Sequence, residues 1–177
     1  MIAVIGFSDL HVMQFLEKYT NVFDKYDIDY KVIYWNRSLV ENNIKNKEKY
    51  ISFDYKINTY QPFYKKILGF LKYARFVRKL INKNKYEKLV ILTTQTAIPL
   101  YDILIKKYKD KYIYDYRDIT KEFKLSFYKK MVIKMIKNSK YTMFSSKGFI
   151  KALNLENSNK ILIANNSRDF KNINIHK

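Results

Sequence analysis

A chain of 177 residues holds one domain with a sizeable core and has no room for two full nucleotide-binding domains. Hydrophobic residues at 47% and aromatics at 17% exclude a disordered polymer, and the absence of cysteine excludes disulfides, thiolate metal sites and cysteine nucleophiles. The balance of 35 Lys+Arg against 16 Asp+Glu, formally +19, favours an anionic partner, either nucleic acid or an anionic membrane surface, although an AT-rich genome would inflate Lys, Asn, Ile and Tyr in the same way.

The opening MIAVIGF has no basic n-region and is one strand long, so it is not a signal peptide. No apolar run approaches the roughly 18 residues of a membrane-spanning helix. The expectation is a soluble, cytoplasmic protein. In chain order, β-rich runs at Ile2 to Phe7, Tyr30 to Trp35, Leu89 to Thr94, Tyr112 to Asp115, Tyr141 to Ser145 and Ile161 to Ala164 read as strands, with Tyr50 to Tyr55 as a further candidate. Helical periods fill 9–26, 62–82, 96–108, 119–138 and 146–153 between them. The alternation predicts an α/β fold, a doubly wound parallel sheet of six to seven strands in a single domain over 1–165. The Asn-rich residues 166–177 read as a polar tail or a severed linker.

The clearest helix begins at Pro62, a residue suited to a first helical position. Phe63, Ile67, Phe70, Ala74, Val77 and Ile81 then recur at spacings of three and four, a stripe that should face the sheet. Lys65, Lys72, Arg75 and Lys79 fall on the opposite arc around Tyr73 and Phe76. On the 119–138 helix, Leu125, Tyr128, Val132 and Met135 form the expected core stripe, with Lys130, Lys134 and Lys137 on another face beside Phe123 and Phe127. Lysine mixed with exposed aromatics predicts adsorption to an anionic bilayer, and hence a peripheral position on the inner face of the cell membrane. The competing reading packs Phe76 and Phe127 under a neighbouring element.

Ligands of open α/β sheets bind beyond the carboxyl ends of the strands. Those ends carry Gly6, Ser8, Asp9 and His11; Thr93, Thr94 and Gln95; Asp115, Arg117 and Asp118 with Glu122; Ser145 and Ser146; and Asn165. Ser8, Thr94, Asp118 and Ser146 are also good helix N-caps. A single glycine after the first strand argues against the G-x-G-x-x-G fingerprint of NAD or FAD sites. No P-loop lysine, G-x-S-x-G, HExxH or EF-hand pattern occurs. Of the two histidines, only His11 sits where imidazole chemistry is expected. Arg117 could equally spend its charge on Asp115 or Asp118.

YDYRDITKE at 114–122, an amphipathic helix, YTMFSSKGF at 141–149 and KILIANN at 160–166 together resemble the second half of the N-terminal domain of family 4 GT-B glycosyltransferases. The resemblance implies a Rossmann-like, acceptor-side half of an enzyme that transfers a sugar from a nucleotide sugar in capsule, lipopolysaccharide or exopolysaccharide synthesis. It implies that Asp115, Arg117, Asp118 and Glu122 line an interdomain cleft, with Ser8, Asp9 and His11 opposite them and His11 or Asp9 as base. No metal or cofactor is expected on this chain. The nucleotide-sugar pocket would belong to a second domain on the same polypeptide or a separate chain, and the acceptor would be a saccharide or lipid-linked. The family's glycine-rich loop is represented here by Gly6 alone. The alternative is a non-enzymatic basic module for nucleic acid or another anionic ligand; no nucleic-acid motif supports it, since the basic residues are spread over several helices.

Overall fold

A computed structural model describes residues 1–164 apart from Gln14, 41–43, Lys45, Thr59 and 118–124. Seven strands, β1 (Ile2–Ile5), β2 (Tyr30–Asn36), β3 (Tyr50–Asp54), β4 (Lys88–Leu92), β5 (Tyr112–Tyr116), β6 (Tyr141–Phe144) and β7 (Ile161–Ile163), form one sheet. Every neighbouring pair is parallel, in the order β3-β2-β1-β4-β5-β6-β7. The chain winds outward from β1 to β3, returns to pair β4 with β1, then winds outward the other way. The molecule is thus a Rossmann-like α/β domain, with its change of winding direction between β1 and β4. Among the described residues, no helix is long and apolar enough to cross a membrane.

The helices are α1 (Leu16–Lys25), α2 (Phe63–Asn84), α3 (Thr94–Ala97), α4 (Tyr101–Ile105), α5 (Ser126–Asn138) and α6 (Lys147–Ala152). Alternation along the strands divides the core into two layers. Ala3, Ile5, Ile33, Trp35, Ile91 and Phe144 belong to one cluster with Tyr73, Val77 and Ile81 of α2, Leu104 of α4 and Val132, Met135 and Ile136 of α5. Val4, Val32 and Val90 point the other way, in a cluster with Leu16 and Phe23 of α1. Burying so much tyrosine requires that the hydroxyls be satisfied. Tyr112 donates to Met135 O, Tyr114 to Thr94 Oγ1 at 2.8 Å and Tyr108 to Tyr86 O at 2.7 Å.

Periodicity misplaces the faces of α2. Tyr73, expected at the membrane surface, is 1% exposed; it stacks on Trp35 with centroids 5.5 Å apart, and its hydroxyl donates to Gly6 O. Phe76 is half-buried and packs against Phe53, with ring centroids 5.2 Å apart. Phe63 and Ile67, assigned to the core, are 73% and 42% exposed. The physical reason is β3: its Phe53, with Tyr55 just beyond, extends the apolar floor beneath α2, so the helix beds on a rotated arc. Phe70, Ala74, Val77 and Ile81 of the expected stripe are buried or packed against the core. Lys65, Lys72, Arg75 and Lys79 are exposed, as are Lys130, Lys134 and Lys137 of α5. On α5, Val132 and Met135 are buried while Leu125 and Phe127 are 39% and 61% exposed. Phe123 lies outside the described residues.

Candidate site at the change of winding direction

The first carboxyl-end turn is built around Gly6, whose amide donates to Ile33 O at 3.0 Å. A Cβ there would stand 1.9 Å from Met13 Sδ, so glycine lets the Met13 thioether lie directly on the backbone. Beyond it the chain makes a short 3-10 turn at Leu10–Val12 and enters α1. The β4 carboxyl end opens α3 through Thr93, at φ 73° and ψ 157°. That region is almost confined to glycine, and holding a β-branched residue there costs on the order of 1–3 kcal/mol. Thr93 N is bonded to Asp115 O at 3.0 Å, which fixes the strained turn to β5.

Between these two turns lies a crevice of about 250 Å³. Ser8, Thr93, Thr94 and Gln95 give it polar edges, Phe15, Leu92 and Met13 an apolar floor, and Asp115 and Arg117 its far end. Thr94 is 2% exposed and accepts from Tyr114, whereas Gln95 is exposed.

Asp115 and Arg117 make a buried ion pair, with side chains 1% and 6% exposed. Arg117 Nη2 donates to Asp115 Oδ2 at 3.1 Å, and Nε is in ion-pair contact with Oδ1 without hydrogen-bond alignment. Tyr19 donates to Asp115 Oδ2 at 2.9 Å, Arg117 Nη1 donates to Ala164 O at 2.6 Å, and the guanidinium lies 4.0 Å from the Phe15 ring centroid. Burial pushes the Asp115 carboxyl above the ordinary carboxylate range against the opposing pull of Arg117 and Tyr19. The Tyr19 phenol is raised for the same reason, by desolvation first and then by Asp115. Ser145 donates to Arg117 O at 2.9 Å. Of the two partners the sequence allows Arg117, Asp115 is therefore one.

Asp9 holds the β1 and β2 turns together: its Oδ1 accepts from Arg37 N at 2.7 Å, Ser38 Oγ at 3.0 Å and Ser38 N at 3.1 Å. Neither it nor Ser146 caps a helix through its side chain; each precedes a helix without such a bond. Thr94 is the first residue of α3, not its N-cap. His11 is exposed and lines neither this crevice nor the groove beside it. Asp118, Glu122 and Asn165 lie outside the described residues.

A groove of about 1080 Å³ adjoins the crevice, sharing Phe7 and Gln95 with it. Arg37 is its central charge. The guanidinium stacks 4.1 Å from the Phe7 centroid and 4.6 Å from that of Trp35, and Nη2 donates to Phe7 O. Burial lowers the Arg37 pKa, with Asp9 opposing. Lys56, Lys66, Tyr60, Phe63, Phe70 and Tyr128 complete the wall. Arg37 follows a strand that no motif marks, so the sequence does not point to it; Thr93 is reached by its place at a strand end, and its strain shows only in the backbone angles.

No protein-family model matches the chain, and no curated protein matches it either. The fold defines a class, a Rossmann-like α/β domain, and nothing narrower.

Proposed function

We propose that this domain is the acceptor-binding half of a GT-B glycosyltransferase of bacterial surface-polysaccharide synthesis, paired in the working enzyme with a donor-binding Rossmann half. The observation that carries the reading is the crevice between β1 and β4. It opens where the winding reverses, has hydroxyl and amide edges over an apolar floor, and lacks the glycine-rich turn that a dinucleotide pyrophosphate needs. Ser8, Thr93 and Gln95 can exchange hydrogen bonds with sugar hydroxyls, while Phe15 and Leu92 meet the apolar face of a pyranose ring. Asp115 and Arg117, pinned to each other, hold the far wall and do not reach for the ligand. Asp9 lines the adjoining groove and not the crevice, so its Oδ2, the oxygen opposite the three donors on Oδ1, would take a proton only from an acceptor hydroxyl that reaches past Phe7 and Gln95 into that groove. A nucleotide sugar would come from the other half, so transfer requires both halves to hold acceptor and donor in contact.

Titration calorimetry with p-nitrophenyl glycosides and with UDP-sugars tests this. Glycosides should bind, at least about fivefold more weakly after Ser8→Ala or Gln95→Ala, a loss of about 1 kcal/mol for one neutral hydrogen bond. Micromolar binding of a UDP-sugar, or multiple-turnover transfer by the purified chain alone, would refute the proposal.

A further inference from the structure

The peripheral membrane position expected from Tyr73 and Phe76 has little footing on those residues, since Tyr73 is buried and Phe76 is half-buried against Phe53. The same helix presents a different surface. On the solvent arc of α2, Tyr64 is 59% exposed, Leu68 50% and Leu71 45%, with Phe63 at 73% and Ile67 at 42% along one flank. Tyr60, in the turn before the helix, is 99% exposed. Five large apolar side chains uncovered within nine residues form a continuous stripe, unlike the scattered singles of an ordinary surface.

The charge of α2 selects the partner. The helix contains no acidic residue from Phe63 to Asn84. Lys65, Lys72, Arg75 and Lys79 are exposed; by helical period Lys65 and Lys72 lie along one edge of the apolar stripe, while Arg75 and Lys79 continue its arc toward the end of the helix. Arg78 is excluded from this set because it is paired with Asp102. An apolar strip bordered by cations, with no anion among them, is the pattern that inserts shallowly below anionic headgroups. A protein partner would instead have to supply an acidic rim to match. The stripe also runs beside the groove that carries Arg37, since Phe63 and Ile67 belong to both.

We infer that the first half of α2 is a docking surface for an anionic lipid bilayer, with Tyr64, Leu68 and Leu71 entering the interface and Lys65, Lys72, Arg75 and Lys79 meeting lipid phosphates. The inference stands on the shape and charge of the helix and does not depend on glycosyl transfer. Failure of saccharide binding would leave it intact, and the reverse also holds.

Co-sedimentation of the chain with vesicles of phosphatidylcholine alone, or with about one third phosphatidylglycerol, tests it. Partitioning should be at least about tenfold stronger on the anionic vesicles and fall at least about tenfold when NaCl is raised from 0.05 to roughly 0.5 M. Leu68→Ser with Leu71→Ser should lower it at least about fivefold on removing half-exposed apolar contacts, while circular dichroism and Tm stay near those of the parent. Retention of the chain in the supernatant with anionic vesicles at low salt would overturn the inference. So would undiminished binding of the double variant, or equal binding to phosphatidylcholine. Light scattering provides the other decisive arm: a concentration-dependent dimer that the double variant abolishes would make a second copy the occupant.

Discussion

Replacing Asp115 by Asn leaves the Arg117 guanidinium 6% exposed, with the Asp115 charge gone and Tyr19 and Phe15 still packed around it. Breaking one partner of a buried pair costs about 3–5 kcal/mol, because the surviving charge keeps its desolvation penalty and loses the interaction that offset it. Here both carboxylate oxygens face the guanidinium, and Ala164 O, which also accepts from it, is a neutral acceptor. For a domain of this size about 2–4 °C accompanies each kcal/mol, so Tm should fall by roughly 6–20 °C. The double variant Asp115→Leu, Arg117→Met removes both charges and should recover to within about 2 kcal/mol of the parent. Urea unfolding followed by circular dichroism measures all three proteins. A loss below about 1 kcal/mol for Asp115→Asn, the range of an exposed pair, would show that the pair is not desolvated. The assignment of Asp115 and Arg117 to the frame of the crevice would then fail.

Gly69→Ala should destabilise by about 1–3 kcal/mol in the same assay, because a Cβ there would lie 2.9 Å from the Trp35 ring and 2.3 Å from Ile57 Cδ1. Gly148→Ala, whose nearest neighbour would be Ser146 Oγ at 3.6 Å, should be neutral or stabilise α6 by up to about 1 kcal/mol. Thr93→Gly should raise stability by about 1 kcal/mol through relief of the positive φ, while weakening glycoside binding; lower stability would mean that the turn is not strained. Arg78, hydrogen-bonded to Asp102, holds that carboxyl below its ordinary range. Its contribution is thus present above the unfolded pKa and lost as pH falls through the depressed value. Asp102→Asn should flatten the acid limb of a Tm-against-pH curve, by less than about 1 kcal/mol for so exposed a pair.

The fold was legible because strand and helix periods differ and each alternated cleanly along the chain. Even the weakest strand candidate, Tyr50 to Tyr55, proved to be β3. The helix faces were less legible. Lys65, Lys72 and Lys79 were assigned to solvent by period alone, whereas the burial of Tyr73 depends on where β3 puts Phe53 and Tyr55, a long-range fact that no local window contains. Residues at the strand ends were found for the same topological reason that makes them converge, and Ser8, Thr94, Gln95, Asp115 and Arg117 do line one crevice. Their division of labour was not legible: whether an arginine binds a ligand or spends its charge on a neighbour two residues away is decided by burial. Nothing in a lone arginine announces the stack of Arg37 on Phe7 and Trp35, and nothing in a threonine at a strand end announces the positive φ of Thr93.

The proposal turns on what occupies the crevice between β1 and β4, and amide shifts of the 15N-labelled chain report it directly. Titration with a p-nitrophenyl glycoside should move the Ser8, Thr93 and Gln95 amides in a saturable, stereoselective way, and UDP-sugars at the same concentration should leave them in place. Saturable shifts at those amides with a UDP-sugar, or glycoside shifts confined to residues outside the crevice, would contradict an acceptor-binding half.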